Sequence, residues 1–137
     1  MEGLIRISPD RERARSLLAL AKLRYEKIKT YDAGKESSLI AEGYYEVAKE
    51  IVTALMFIDG FKTLSHKELV EYLGTNYKTA FSYPEIRLLD QLRIMRNNVV
   101  YYGAFVEPSY IIRNKEPITR LLSKLFGVCE SKLNQKP

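Results

Sequence analysis

The sequence has few of the residues on which disulfides, zinc sites and phosphate loops depend. Its 137 residues include one cysteine, one histidine and no tryptophan. Cys129 has no partner for a disulfide within the chain, which favours a reduced, cytoplasmic setting and a role as a small buried hydrophobe. A single cysteine and a single histidine, His66, cannot make a usual zinc site. No glycine precedes a Lys-Ser or Lys-Thr pair, so a phosphate loop is also missing. We expect no metal and no cofactor.

Long apolar runs are missing too. No stretch approaches the roughly 20 apolar residues that cross a bilayer, and the N-terminus has no charged-then-apolar leader, so we expect a cytoplasmic protein without membrane contact. The 46% apolar content supports a packed core, and the length fits one domain over 1–137 with its core at about 8–133. A net charge of +5 favours polyanions weakly, although ordinary solubility explains it equally well.

Apolar residues recur at helical spacing through most of the chain, and no strand-like alternation of useful length is present. The first expected helix begins at Ser8-Pro9-Asp10 and ends at Asp32-Ala33-Gly34, and the second runs from Ser37 or Ser38 to Asp59-Gly60. A short third helix begins with a capping box at Ser65–Glu68 and ends at Gly74. The fourth begins at Ser82 or Tyr83 with Pro84 and ends at Gly103, and the last begins at Asn114–Pro117, after a break at Pro108. These elements predict an all-α fold, an up-and-down four-helix bundle with an additional short helix.

Two polar features have a structural and a functional interpretation. The second helix carries an acidic stripe, Glu42, Glu46 and Glu50, which could offer carboxylates to a divalent cation. We favour a solvated face, because no second acidic cluster is evident. His66 could act as a general base, but it follows a cap residue, so a structural or surface role is favoured. It also belongs to a different helix from the motif described next.

The most informative segment is the fourth helix, where polar residues interrupt an apolar pattern. Its buried seam is predicted to comprise five residues, namely Leu88, Leu92, Met95, Val99 and Tyr102. Arg96, Asn97 and Tyr101 then share the flank of this helix near its end. A guanidinium, an amide and a phenol at one place indicate a site for phosphate or nucleotide. The alternative is a salt bridge between Arg96 and a glutamate of the second helix.

Adjacent tyrosines occur twice on the predicted helices, and the chain has ten tyrosines in all. In each pair, Tyr44-Tyr45 and Tyr101-Tyr102, we expect one ring to pack inward and the other to face a partner or solvent. Tyrosine suits surfaces that are half apolar and half wet, including subunit interfaces.

The segment Arg96–Gly103 resembles the signature of HEPN domains, in which an arginine, a polar residue, a few further positions and a histidine lie on the penultimate long helix. Ser65–Leu69, which follows Asp59-Gly60, resembles the loop and short helix of the same family. The Tyr44-Tyr45 region of the second helix is also similar. The resemblance extends over roughly residues 10–130, the span of the predicted helices.

The resemblance implies a small bundle that forms a homodimer and brings two copies of the motif together. Many HEPN members are metal-independent RNases whose arginine and histidine act on the 2′-hydroxyl and the scissile phosphate. Others are non-catalytic partners of minimal nucleotidyltransferases, in toxin–antitoxin pairs or related operons. Here Tyr101 occupies the place of the histidine, and Gly103 that of a tyrosine which the partner transferase modifies.

We therefore expect a catalytically degenerate HEPN-like module that binds a nucleotide or RNA and has a minimal nucleotidyltransferase as its partner chain. The expected ligand-binding residues are Arg93, Arg96, Asn97, Tyr101 and Tyr102. One alternative is a toxin-like RNase in which Arg96, Asn97 and Tyr101 are catalytic. Another is a purely structural dimeric adaptor.

Overall fold

The computed structural model describes residues 3–136. Over this range the chain forms five helices and one small antiparallel sheet. The elements in chain order are β1 (Ile5–Arg6), α1 (Arg11–Ile28), α2 (Ser37–Asp59), β2 (Phe61–Lys62), α3 (His66–Asn76), α4 (Tyr83–Tyr102) and α5 (Pro108–Asn134). The all-α class is confirmed, with four longer helices and one short one.

Helix α2 is the centre of the fold. It packs against α1, α4 and α5, while α3 packs mainly against α4. Ile51, Val52 and Leu55 of α2 are fully buried, as the wide apolar face of this helix predicts. The helix ends at Gly60, whose φ of 90° is in the left-handed region that glycine adopts without strain. The predicted limits of α2 agree with the structure.

Two predicted helix ends were wrong, since α1 ends at Ile28 rather than at Asp32–Gly34, and α3 continues past Gly74 to Asn76. Two predicted helix starts were wrong because a different residue caps the helix. The side chain of Asp10 caps α1 by accepting from the Arg13 N–H, so the helix begins at Arg11 rather than at Ser8-Pro9. Pro108 opens α5 instead of interrupting the chain before it, because proline at the first helical position needs no N–H partner. Pro117 lies inside α5, where buried apolar neighbours hold the helix together.

The N-terminal segment is tied to the connection between α2 and α3, an arrangement that the sequence did not predict. Ile5 pairs with Lys62 and Arg6 with Phe61. The Ile7 N–H also donates to the Gly60 carbonyl at 2.9 Å. The two strands are too short for alternation to be detectable in the sequence. They fix the segment that leads into α3, and hence the place of His66.

The capping boxes of α3 and α4 differ. Ser82 and Glu85 form both reciprocal bonds at the start of α4. At the start of α3, Ser65 accepts from the Glu68 N–H at 3.2 Å, but the Glu68 carboxylate accepts from the Gly3 N–H at 2.6 Å instead of reaching back. The second half of the predicted box is therefore replaced by a long-range contact to the N-terminal segment.

The predicted seam of α4 is correct except at its last residue, Tyr102. Leu89 and Leu92 are the buried residues of this helix, and Leu88, Met95 and Val99 pack partly against the core. Tyr102 is 82% exposed, so its predicted inward position was wrong. The helix ends one residue later at Gly103, whose φ is 65°, and its last turn lies beyond the core.

Candidate functional site

Arg96 of α4 is held by a carboxylate of α2. Its Nε donates to Oε1 of Glu46 at 2.9 Å, and the two side chains are only 15% and 13% exposed. This ion pair is the alternative that the sequence left open for Arg96. The guanidinium is therefore fixed in direction by its own chain.

Glu46 is shared between two cations. Its second oxygen, Oε2, lies 2.8 Å from Nζ of Lys49. Burial alone would raise the pKa of Glu46, but contacts with Lys49 and Arg96 outweigh burial and lower it. The carboxylate is therefore ionised at neutral pH and joins a lysine of α2 to an arginine of α4.

The prediction of a solvated acidic stripe on α2 was wrong. Glu50 is buried and accepts from both Nε and Nη2 of Arg24, while Glu42 is half-buried. Each of the two inner glutamates meets an arginine from a neighbouring helix, which the stripe itself does not reveal. Within residues 3–136, no group of three or more His, Cys, Asp or Glu side chains is placed to hold a metal ion.

Folding brings His66 to the same place as Arg96. The hydroxyl of Tyr45 and Nδ1 of His66 are 2.8 Å apart, and their ring centroids are separated by 5.7 Å. Burial is the main reason why the pKa of Tyr45 lies far above its usual range, so the phenol keeps its proton. We assign the hydroxyl as donor to Nδ1, which leaves the proton of the neutral imidazole on Nε2.

His66 experiences the positive charge of three side chains. Burial lowers its pKa first, followed by the charges of Arg96 and Lys49 and, more weakly, Arg93, whereas Glu46 opposes them. We call Glu46, Lys49, His66, Arg93 and Arg96 the basic cluster. Sequence reasoning separated His66 from the motif because they lie on different helices, and no spacing in the sequence joins them.

The other predicted site residues are arranged unequally around Arg96. Oδ1 of Asn97 accepts from Nη1 of Arg96 at 3.3 Å, and the Tyr101 ring centroid lies 5.8 Å from the Arg96 guanidinium carbon. Arg93 pairs with Asp90 at 2.7 Å. The side chain of Tyr102 makes no hydrogen bond or ion pair within residues 3–136. The motif is thus assembled around Arg96, with Tyr102 outside it.

The electrostatics of Arg96 follow from these contacts. Burial alone would lower the pKa of the guanidinium, but the Tyr101 hydroxyl and Glu46 outweigh burial and raise it. Asn97 uses its Oδ1 atom to accept from Arg96, and its Nδ2 amide remains available as a donor. Tyr101 is 65% exposed and presents a second polar group beside Arg96.

A cavity of about 340 Å³ adjoins the basic cluster. Lys49 and His66 border it, together with residues that supply hydroxyl groups, a carboxylate and aliphatic surface. These are Leu17, Glu50, Thr53, Thr63, Leu64, Ser65 and Leu69. Ser65 and His66 stand at the N-terminus of α3, the end of a helix that favours anions. A lysine, an imidazole N–H and hydroxyls suit a small oxyanion.

Both predicted tyrosine pairs differ from expectation. Tyr44 and Tyr45 are both buried, on different sides of α2, whereas Tyr101 and Tyr102 are both exposed. A central helix has partners on nearly every side, and a helix end beyond the core has few.

None of the helices within residues 3–136 has the length and apolar character needed to cross a membrane.

Comparison with family models, with curated proteins and with solved structures finds no match for the chain. Function is therefore inferred from the geometry and charge of the basic cluster.

Proposed function

We propose that the chain is a non-catalytic HEPN-like module that binds phosphate groups of a nucleotide or RNA at the basic cluster. One observation carries the proposal, namely that Lys49 and Arg96 share the Glu46 carboxylate while Lys49 and His66 line one cavity. Such a place favours a ligand of negative charge, because an anion would relieve the repulsion among these groups.

The basic cluster and its ion-pair partners carry more positive than negative charge, which favours binding of an anion. Glu46 is the single carboxylate that contacts both Lys49 and Arg96, and Arg93 has its own partner in Asp90. Three cations thus face two carboxylates, with His66 able to add a further charge. Because Glu46 fixes the direction of the Arg96 guanidinium, part of the ordering cost of binding is already met.

The proposed contacts come from groups that still have a donor to offer. His66, with its Nε2–H, and Lys49, with its ammonium, line the 340 Å³ cavity. Asn97, with its Nδ2 amide, and Tyr101, with its hydroxyl, contact Arg96. A phosphate near Arg96 would accept from these groups, and Tyr101 would also offer a ring on which a base can stack.

The same geometry favours binding over catalysis. Nδ1 of His66 is occupied by the Tyr45 hydroxyl, so the free ring nitrogen carries a proton and cannot accept one from a 2′-hydroxyl. Tyr101 stands in the place that the HEPN resemblance gives to histidine. The cluster therefore has donors for a phosphate and lacks an evident general base.

The proposal is tested by fluorescence anisotropy with labelled single-stranded RNA at low salt, and by competition with a nucleoside monophosphate. Arg96→Met should weaken binding roughly tenfold to a hundredfold, the range for a hydrogen bond to a charged group. Arg120→Met is the matched control, because Arg120 is exposed on α5 and pairs only with Glu116 of its own helix. Equal binding by wild type and Arg96→Met would refute the site.

An RNase is the second candidate, favoured by the contact of Tyr101 with Arg96. Incubation of the purified protein with RNA in EDTA distinguishes the two functions. Our proposal expects no cleavage. Cleavage that disappears in both Arg96→Ala and Tyr101→Phe would establish the RNase instead, with Arg96 and Tyr101 as its catalytic residues. Tyr101→His should move the protein towards cleavage by restoring an imidazole.

A homodimer, and an adaptor role for it, is favoured by apolar side chains that α4 leaves exposed at its end. Tyr101, Tyr102 and Phe105 are all more than half exposed, which is typical of interaction surfaces. Light scattering should give twice the mass of the chain. Co-purification with a minimal nucleotidyltransferase from a neighbouring gene would identify the proposed partner, whereas a dimer without affinity for RNA or nucleotide would favour the adaptor.

A further inference from the structure

A second cavity lies on the opposite side of α2 from His66, and the proposed function does not use it. Its volume is about 470 Å³, within the roughly 300–1,000 Å³ of small-molecule sites. The walls come from the end of α1 and the turn after it, from the start of α2 and from α5. Its aromatic and aliphatic lining residues are Tyr25, Ile28, Tyr31, Ala33, Ile40, Tyr44, Ile111 and Ile112.

Tyr44 places an unpartnered hydroxyl in this apolar setting. The residue is 4% exposed, lines the cavity, and its hydroxyl makes no hydrogen bond within residues 3–136. Burial is the main cause of the raised pKa of this phenol, so it stays a donor at neutral pH. A ligand acceptor in the cavity would take a hydrogen bond from this hydroxyl.

Cationic side chains stand at the same cavity. Lys29 and Lys115 both line it. The Lys29 ammonium lies 4.8 Å from the Tyr25 ring centroid and pairs with Glu26. Lys115 is exposed and has no ion pair within residues 3–136. The cavity thus combines an apolar body with a positively charged side and one hydroxyl donor.

We propose that this cavity binds a small monocarboxylate with an apolar body. The chain or ring of the ligand would pack against the tyrosines and isoleucines, and its carboxylate would accept from the Tyr44 hydroxyl and pair with Lys115. Tyr25 also stacks on Phe126 at 5.9 Å, which stabilises one wall before any ligand arrives. The body is an alkyl chain or an aromatic ring system, which the probes below distinguish.

Isothermal titration calorimetry with decanoate, 2-naphthoate and 1-decanol tests the proposal. We expect at least one carboxylate to bind and 1-decanol to bind more weakly than decanoate. Decanoate binding tighter than 2-naphthoate assigns an alkyl body, and the reverse assigns an aromatic one. Tyr44→Phe keeps the shape of the cavity and should weaken the preferred carboxylate about tenfold. Lys115→Gln should weaken it about three- to fivefold and leave 1-decanol unchanged.

Lys78→Gln is the control, because Lys78 is exposed in the turn after α3 and does not line the cavity. Both Tyr44→Phe and Lys115→Gln should keep the wild-type thermal midpoint in the absence of ligand. No binding of either carboxylate at millimolar concentration would overturn the proposal. Equal binding of decanoate and 1-decanol, or carboxylate binding that neither substitution changes, would also overturn it. RNA binding at the basic cluster is independent of all these outcomes.

Discussion

Helix α2 carries two glutamate–arginine pairs one turn apart, and they have different surroundings. Glu50 receives two nitrogens of Arg24 from α1, and its side chain is 5% exposed. Glu46 receives one nitrogen of Arg96 and the ammonium of Lys49, with His66 within reach of these charges. The first pair matches one cation to one carboxylate, whereas in the second two cations share one carboxylate.

The difference separates a structural ion pair from a candidate binding site. The bidentate Arg24–Glu50 contact matches one cation to one carboxylate, so this pair has no excess positive charge to offer an anion. Glu46 is shared by two cations, Lys49 and Arg96, and the excess positive charge can be relieved by an anion. The four predictions below change one pair or the other, from the largest expected effect to the smallest.

Removal of Arg24 should have the largest effect on stability. Arg24→Met leaves the buried Glu50 carboxylate without its partner, so we expect the free energy of unfolding to fall by about 2–3 kcal/mol, less than for a fully buried pair because Arg24 is 39% exposed. Urea unfolding measures the loss, and Arg120→Met should change stability by no more than about 0.5 kcal/mol. A loss as small as that of the control would show that the Arg24–Glu50 pair is not structural.

Glu46→Gln should cost less stability and increase affinity for anions. The glutamine can still accept from Arg96, so we expect a loss of about 1–2 kcal/mol. Removal of the negative charge should tighten RNA binding about fivefold, in contrast to Arg24→Met, which leaves it unchanged. Anisotropy and urea unfolding measure both quantities. Weaker RNA binding by Glu46→Gln would mean that Glu46 itself contacts the ligand or that the cluster is not the site.

Acidification should destabilise the protein through His66. Its pKa is lowered in the folded state by burial and by Arg96 and Lys49, so between pH 7 and pH 5 the unfolded chain takes up more protons than the folded one. The contribution of neutral His66 to stability should therefore be fully present above about pH 6.5 and be lost as the pH decreases below that value. His66→Gln should flatten this part of the profile, and loss of the Glu46 contribution should appear only below about pH 4.5.

The smallest effect is expected for Tyr101→Phe. The phenylalanine ring can keep its place beside the Arg96 guanidinium, and Tyr101 is mostly exposed, so stability should change by no more than about 0.5 kcal/mol. RNA binding should weaken about threefold if the hydroxyl donates to phosphate. A loss of more than a hundredfold would make Tyr101 the main anchor of the ligand and shift the site away from Lys49 and His66.

The sequence predicts the helices better than the contacts between them. Periodicity and caps place α2 correctly and narrow the cap of α4 to Ser82 or Tyr83, of which Ser82 is the cap, because these signals are local. Asp10 and Pro108 were misread because several residues near each helix start are suitable caps. The ion-pair partners of Glu46 and Glu50 could not be predicted, since each is an arginine from a different helix.

The candidate site, too, was predicted only where its residues are close together in the sequence. Arg96, Asn97 and Tyr101 are close in sequence, so helical geometry predicts that they lie together, and their contacts agree. Tyr102 was misplaced because the core ends before the last turn of α4. His66 was missed because its approach depends on Tyr45 and on the small sheet between the N-terminal segment and β2, neither of which has a sequence signal at the required distance.

The titration of His66 is the most direct test of the central claim, that the basic cluster binds phosphate. It is the only histidine in the chain, so its ring signals in NMR spectra need no assignment. Without ligand, its pKa should lie below the ordinary value of about 6.5 and rise when Arg96 is replaced by methionine. Addition of a short RNA should raise the pKa of wild-type His66, because a phosphate beside the ring stabilises the imidazolium. An RNA complex in which the pKa and the ring signals of His66 do not move would contradict the account.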